Sequence, residues 1–135
     1  MKRYLILLAS LAILLAAGCT KKTLPSVSLS SDKDEVNVTS YSASVAFTLS
    51  WDLNGGNTDI RQTYVQFCPD KEFVSPYVLR SSGTSFVVTY KDLKKIQENF
   101  GILTNYELIA RLLIEGNDAP SVYSNKVRIN VVIEH

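Results

Sequence analysis

The chain contains one histidine and two cysteines, the residue types that most often supply a general base and a thiolate nucleophile. His135 is the last residue of the sequence, where side chains are usually frayed, whereas a general base must be held within hydrogen-bond reach of its partner. Cys68 lies in a strand-like segment with no histidine near it in sequence, so we expect it to pack as a small apolar group. We therefore predict no catalytic residue and no enzymatic activity.

Acidic residues cluster in two turns and could in principle bind calcium, which takes six to eight oxygen ligands. Asp32, Asp34 and Glu35 form one cluster, and Asp118 follows Gly116-Asn117 in the other. The spacing does not match an EF-hand loop, and a lysine lies inside the first cluster. The sequence also has neither a cysteine–histidine cluster for zinc nor a glycine-rich loop for phosphates. We predict solvated turns, with no metal and no cofactor.

Tyrosines are the remaining candidates for binding, because sugar rings stack on flat aromatic faces. Tyr64 points to the polar side of its predicted strand, and Tyr77 and Tyr90 lie near strand breaks, so these three are the candidate glycan contacts. The alternative is that they are ordinary surface residues of a β protein, together with Tyr41 and Tyr123. Trp51 lies on the apolar side of its strand and is predicted to belong to the core.

The first residues have the pattern of an export signal. Lys2 and Arg3 precede an apolar run, interrupted only by Ser10, that is too short for a comfortable membrane span. The run ends in Ala16-Ala17-Gly18-Cys19, which resembles a bacterial lipobox. That resemblance implies that residues 1–18 are removed and that Cys19 is acylated, so that hydrocarbon chains anchor the protein to a membrane. A plain signal peptide with an incidental cysteine is the alternative.

The mature part has the length of one domain, because about a hundred residues support a single core. We divide the chain into a signal peptide at 1–18, an acylated tether at 19–25 and one folded domain at 26–135. The sequence has 14 basic and 13 acidic residues, and two of the basic ones belong to the signal, so nothing indicates a nucleic-acid-binding surface. With Cys19 acylated, Cys68 is the remaining thiol and an internal disulfide cannot form.

Most of the domain has the two-residue periodicity of half-buried strands. Val27 and Leu29 alternate with serines, and the same alternation recurs at 36–38, 64–67, 85–89, 106–112 and 127–133. In the strand at 44–53, we expect one buried face made of Val45, Phe47, Leu49 and Trp51. Residues 73–79 are predicted to form an edge strand, because Pro76 cannot donate to a central ladder.

One helix interrupts the strands. Thr89 and Asp92 form a variant of the capping box, Leu93, Ile96 and Phe100 form an apolar stripe, and Gly101 suits a left-handed stop. The prediction is an all-β, two-sheet sandwich of about seven strands, with one short helix before the penultimate strand.

The sandwich resembles immunoglobulin-like and fibronectin type III-like domains. Trp51 stands where the early buried tryptophan of fibronectin domains lies, and Tyr106 stands where a tyrosine corner begins the penultimate strand. More narrowly, the chain resembles the N-terminal domain of SusE/SusF-type outer-membrane lipoproteins of Bacteroidota. The matching segments are TLSW at 48–51, YVQF at 64–67, KDLKKI at 91–96 and YSNKVRINV at 123–131.

This resemblance implies a non-catalytic accessory or scaffold module in polysaccharide capture and uptake, anchored to the outer membrane through Cys19. In that family the glycan sites usually lie in further domains, while the first domain resembles a spacer. SusC/SusD-type outer-membrane proteins and polysaccharide are the implied partners. Surface export in this phylum is associated with acidic residues after the acylated cysteine, whereas Lys21 and Lys22 follow Cys19 here, so both membrane faces remain open. The alternatives are a direct glycan-binding module that uses surface tyrosines, and a structural or protein-interaction lipoprotein of the envelope that pairs through a sheet edge.

Overall fold

The computed structural model describes residues 21–134. Predictions that concern residues 1–20 and His135 lie outside the described residues. Within the described part there are nine strands and one helix, here called α1. Their bounds in chain order are β1 Ser26–Ser31, β2 Glu35–Val38, β3 Val45–Asn54, β4 Gln62–Cys68, β5 Tyr77–Ser81, β6 Ser85–Thr89, α1 Tyr90–Phe100, β7 Tyr106–Glu115, β8 Val122–Tyr123 and β9 Val127–Ile133.

The strands form two sheets. The smaller sheet has the order β1-β3-β6, and the larger sheet has the order β2-β9-β7-β4-β5, with the short β8 beside β7. Neighbouring strands are antiparallel except β2 and β9, which run parallel. Two mainly antiparallel sheets that enclose one core confirm the predicted all-β, two-sheet sandwich with one short helix, although the described residues form nine strands where about seven were expected.

The core lies between the sheets and is built by the alternating residues that the sequence indicates. The predicted inward residues Leu29, Leu49 and Trp51 are all buried, and Trp51 is 4% exposed. The largest fully buried side chains come from both sheets and from the helix: Phe47, Phe67, Leu49, Leu93, Ile96, Leu108, Leu112, Ile114 and Ile129. Trp51 is therefore a core residue, as predicted, and offers no ring face to a ligand.

One predicted core position in β3 is wrong. Val45 is 51% exposed, while Ala46, which alternation assigns to the outer face, is fully buried. The pairing of β3 with β6 shifts register between Val45 and Phe47, which is the signature of a β-bulge. Since a bulge inserts one extra residue, it reverses the side-chain alternation on one side of it.

The predicted edge strand begins later than expected. β5 starts at Tyr77, directly after Pro76, and it is the outermost strand on its side of the larger sheet. The residues before the proline form a loop in which Phe73 has a positive φ of 53° and is buried. Pro76 thus ends a loop, and the apolar residues at 73–74 do not continue the strand.

Helix α1 begins and ends as predicted. The Thr89 hydroxyl accepts a hydrogen bond from the Asp92 N–H at 3.2 Å, and the Asp92 carboxylate accepts one from the Thr89 N–H at 2.9 Å. Gly101 adopts the left-handed conformation that ends the helix. The helix buries Leu93 and Ile96 against the core and joins β6 to β7. Within residues 21–134, no helix combines the length and the apolarity that a membrane crossing requires.

The strands run between two opposite poles of the sandwich. The proximal pole is the end where β1 begins and β3 ends, with Ser26 paired to Asn54. The distal pole is the end where β9 finishes at Ile133 and where α1 lies between β6 and β7. Leu24 and Pro25, which the sequence analysis assigns to the tether, are buried. Leu24 belongs to the main core, so the packed part of the chain begins before β1.

Candidate functional site on the outer face of the larger sheet

Cys68 packs as a small apolar residue, as expected. It lies with Phe73 and Ile109 in a small cluster on the outer face of the larger sheet. Burial raises the pKa of the Cys68 thiol, and its sulfur donates to the Asp70 carboxylate at 3.5 Å. A buried thiol held in its protonated form is a poor nucleophile. The other two residues singled out for chemistry, Cys19 and His135, lie outside the described residues.

The acidic turns have structural roles in the described part of the chain. The Asp32 carboxylate accepts a hydrogen bond from the Thr48 N–H at 2.7 Å, which joins the turn after β1 to β3. Asp118 lies 3.5 Å from the Lys22 ammonium in an exposed ion pair. Among residues 21–134, no group of three or more His, Cys, Asp or Glu side chains is arranged to hold a metal ion.

The structure does not bring the three candidate tyrosines together. Tyr64 is half-buried on the outer face of β4, on the side away from the core. Tyr77 is paired with the core residue Phe67, and its side chain packs against the core from the inner face of β5. Tyr90 opens α1 and also packs against the core. The three side chains therefore do not share one surface, and of the three only Tyr64 faces outward on the larger sheet.

A second tyrosine lies in the same row as Tyr64. In the larger sheet Tyr123 is paired with Leu113, Leu113 with Tyr64, and Tyr64 with Arg80. Residues paired across neighbouring strands point to the same side, so all four side chains share the outer face. Because neighbouring strands lie about 4.8 Å apart, the backbones of Tyr64 and Tyr123 are separated by about 10 Å. Tyr123 is 52% exposed.

Arg111 lies beside this row and is held between two aromatic rings. The carbon of its guanidinium lies 4.2 Å from the centre of the Phe73 ring and 4.0 Å from the centre of the Tyr123 ring. Its Nε donates to the buried Gln66 side chain at 2.8 Å, and Gln66 is its partner in the pairing of β4 with β7. Stacking and the hydrogen bond together fix the plane of the guanidinium.

The loop between β4 and β5 supplies one side of this stack. The Asp70 carboxylate accepts hydrogen bonds from the N–H groups of Glu72 and Phe73, at 2.9 and 3.2 Å. These bonds hold Phe73 in a left-handed backbone conformation that costs a bulky residue about 1–3 kcal/mol. The strain is offset because the loop seals Cys68 and Ile109 beneath the Phe73 ring. We define the outer-face patch as Tyr64, Gln66, Phe73, Arg80, Arg111 and Tyr123.

Sequence reasoning identified only part of this patch. The candidate contacts predicted from the sequence include Tyr64 but neither arginine, and Phe73 is predicted to lie in a strand. Strand alternation could have placed Arg111 outward, since it lies between the core residues Ala110 and Leu112. No local pattern indicates that the loop residue Phe73 folds over it.

A second aromatic group occupies the distal pole and joins three elements. The Tyr106 hydroxyl donates to the Gln97 side-chain oxygen at 3.2 Å, and the Gln97 amide donates to the Tyr41 hydroxyl at 2.7 Å. Burial raises the pKa of Tyr106 above its ordinary value of 10.0. Tyr106 stands at the start of β7, as a tyrosine corner would, but its hydroxyl bonds to a side chain of α1 rather than to the backbone. Its role in the described structure is to fasten the helix to the sandwich.

Comparison with known proteins places the chain in a family. No curated protein matches it. The sequence pattern of a family described as SusE outer membrane protein matches residues 19–113, which is most of the chain and runs from Cys19 into β7. The match covers every strand of the smaller sheet and the part of the larger sheet that carries Tyr64, Phe73, Arg80 and Arg111. The resemblance found in the sequence is thereby confirmed, and the chain belongs to the SusE outer membrane protein family.

Proposed function

We propose that this outer-membrane protein is a non-catalytic, membrane-tethered spacer that positions an assembly for polysaccharide capture and uptake. In this proposal residues 1–18 are removed, Cys19 carries the lipid anchor, and the sandwich stands between the anchor and the partners that handle the polysaccharide. SusC/SusD-type proteins are the partners that the family implies.

The observation that carries the proposal is that the described residues begin and finish at opposite poles of the sandwich. At the proximal pole the Asn57 side chain donates to the Lys21 carbonyl at 2.9 Å and accepts from the Thr23 N–H at 2.7 Å. At the distal pole the Glu134 N–H donates to the Val38 carbonyl at 3.0 Å. β3 and β7 each contain ten residues, so the poles are separated by about 30 Å. A domain of this geometry carries whatever attaches at its distal pole about 30 Å from the anchor.

A domain replacement in the native host tests the spacer role. One strain lacks residues 26–134, and a second carries an unrelated sandwich of similar length whose ends also lie at opposite poles. We expect the deletion to impair growth on a polysaccharide and the replacement to restore it, because a spacer acts through length and rigidity. Unchanged growth of the deletion strain on every polysaccharide tested would contradict a role in uptake. A replacement that fails to restore growth would contradict the spacer role specifically.

A second function is favoured by the outer-face patch, namely direct contact with polysaccharide. Tyr64 and Tyr123 lie in one row of a flat sheet face and are separated by about the length of two sugar units. Affinity electrophoresis of the full chain in gels that contain different polysaccharides tests this function. We expect retardation by at least one polysaccharide and its loss in the Tyr64→Ala and Tyr123→Ala variants. Tyr77→Phe is the matched control, since Tyr77 faces the core.

A further inference from the structure

We propose that the outer-face patch selects sugars that carry a negative charge, either a carboxylate or a sulfate. This inference rests on the polysaccharide contact proposed above and adds the chemical class of the ligand. It depends on the charges that surround Tyr64 and Tyr123 rather than on the rings themselves.

The two arginines of the patch have no acidic partner within residues 21–134. The described ion pairs join Lys22 to Asp118, Arg61 to Glu115 and Arg128 to Glu107, and neither Arg80 nor Arg111 takes part in one. Arg80 is exposed and lies next to Tyr64 in the row.

The two carboxylates at the ends of the outer face of β7 are already engaged in ion pairs. Glu115, at one end of the outer face of β7, is paired with Arg61 at 2.7 Å, and Glu107, at the other end, is paired with Arg128 at 3.5 Å. The Asp70 carboxylate accepts hydrogen bonds from the loop that carries Phe73. Arg80 and Arg111 are therefore the charges near the centre of the face that no carboxylate of residues 21–134 pairs with.

Lys126 adds a further cation at the edge of the patch. Its ammonium lies 5.3 Å from the centre of the Phe73 ring and donates to the Lys71 carbonyl. Lys126 is exposed, so its charge contributes to the potential over the aromatic rings.

The Arg111 guanidinium already has a fixed orientation in which it can bind an anion. Both ring contacts and the bond from Nε to Gln66 orient its guanidinium, and that bond is the only one it forms to another side chain in the described part of the chain. Its two terminal nitrogens are left for a ligand, and a planar guanidinium suits the paired oxygens of a carboxylate or a sulfate. Because the side chain is already immobilised, little rotamer freedom is lost on binding.

The register sets the order of contacts along a bound chain. Arg111 is paired with Gln66, two residues along β4 from Tyr64, and Arg80 lies on the opposite side of Tyr64. A sugar stacked on Tyr64 is thus flanked by both arginines, while the neighbouring sugar reaches Tyr123. Neutral sugars would use the rings alone, whereas charged sugars would use the rings and the guanidinium groups.

Binding of defined polymers by the full chain, purified in detergent, tests the inference. The probes are polygalacturonate for carboxylate, dextran sulfate for sulfate and dextran as the neutral counterpart. We expect at least one charged polymer to bind at least about tenfold more tightly than dextran, since a charge-assisted hydrogen bond is stronger than a hydrogen bond between neutral groups. The polymer that binds identifies the anionic group, and raised salt weakens its binding.

Charge-neutralising variants locate the effect. Arg80→Gln removes an exposed arginine of the patch, and we expect it to weaken binding of the charged polymer about tenfold. Arg128→Gln is the matched control, because it removes the same charge from the same sheet, where the Arg128 side chain already forms an ion pair with Glu107. Arg111→Lys keeps the charge but loses the planar fork, so it should weaken binding without changing the net charge.

Each contrary result has a distinct meaning. Equal binding of dextran and the charged polymers, unaffected by Arg80→Gln, overturns the charge selection and leaves the polysaccharide contact in place. Equal losses in Arg80→Gln and Arg128→Gln overturn the assignment to the patch. If the protein binds none of these three polymers and none of a broader panel of neutral polysaccharides, the polysaccharide contact itself is overturned. Binding to phosphatidylglycerol vesicles with none to the polymers overturns the inference in favour of a membrane surface.

Discussion

Two adjacent glycines in the β3–β4 connection allow a test of whether residues 24–25 pack against the proximal pole. Gly55 has φ +73° and Gly56 has φ +79°, so a side chain at either position adopts a disfavoured backbone conformation. Their surroundings differ. A Cβ added to Gly55 would meet nothing within 4 Å, whereas one added to Gly56 would lie 2.5 Å from the Pro25 nitrogen. Gly55→Ala is therefore the matched control for Gly56→Ala.

The expected magnitudes follow from these contacts. Left-handed backbone alone costs an alanine about 1 kcal/mol, which sets the loss for Gly55→Ala. In Gly56→Ala the backbone of residues 24–25 must also move away, because no flexible side chain can give way. Leu24 is 6% exposed in the native core, and removing a leucine from a core costs about 2–3 kcal/mol. We expect a total loss of about 3–4 kcal/mol for Gly56→Ala.

Thermal unfolding of the wild-type protein and the two variants measures this difference. At about 4 °C per kcal/mol, Tm should fall by about 4 °C in Gly55→Ala and by about 12 °C or more in Gly56→Ala. Limited proteolysis gives an independent readout, since displaced residues 21–25 should be cleaved faster in Gly56→Ala only. Equal losses of stability and equal cleavage in the two variants would refute the packing of the entering chain at the proximal pole, and with it the pole geometry behind the spacer proposal.

Three further predictions test the core, the link between the sheets and the distal pole. Ala46→Asp should lower the free energy of unfolding by more than about 3 kcal/mol because the charge is buried. Val45→Asp should change it by no more than about 0.5 kcal/mol because residue 45 is exposed. The reverse order in urea titrations would contradict the bulge. Asn125→Ala should lower the free energy of unfolding by about 2 kcal/mol. The Asn125 side chain accepts a hydrogen bond from the Leu29 N–H at 2.7 Å and donates one to the Leu29 carbonyl at 2.9 Å, which links it to the other sheet. An unchanged unfolding midpoint would exclude this link. The pKa of Tyr106 is raised in the folded protein, so the stabilisation that the protonated hydroxyl contributes is complete below pH 10.0. Above pH 10.0 the free energy of unfolding should decrease by up to about 1.4 kcal/mol per pH unit. Tyr106→Phe should reduce this decrease, and parallel curves of stability against pH for the two proteins would contradict it.

The fold was largely predictable because its strands obey local rules. Val27 and Leu29 alternate with serines, and Thr89, Asp92 and Gly101 mark the ends of the helix, so sequence period and capping chemistry were sufficient there. The bulge at Ala46 was not predictable, because one inserted residue changes which side chains face inward without changing the residue types. Neither was the parallel pairing of β2 with β9, since a four-residue strand carries no mark of its partner.

The candidate site was less predictable because it depends on register. Tyr64 and Tyr123 are far apart in sequence and meet only because both β4 and β8 pair with β7 at Leu113. Phe73 joins them through a loop whose course is set by the Asp70 carboxylate and by a left-handed residue. Such an arrangement depends on strand pairing between segments that are distant in sequence, and local periodicity does not predict that pairing. Residue types alone could therefore suggest tyrosines as candidate contacts, but not which aromatic side chains lie together on one sheet face.

The direction of the strands connects the two proposed functions. The poles lie at the ends of the strands, whereas the Tyr123–Leu113–Tyr64–Arg80 row crosses them. Lys21, two residues after the proposed anchor Cys19, is bound at the proximal pole by the Asn57 side chain. In the proposed arrangement the strands therefore point away from the membrane and the row lies parallel to it. The outer-face patch then faces sideways, about halfway along the spacer, and stays accessible while the distal pole is occupied. A polysaccharide held along the row would run parallel to the membrane, so the spacer and the patch can act at the same time without competing for one surface.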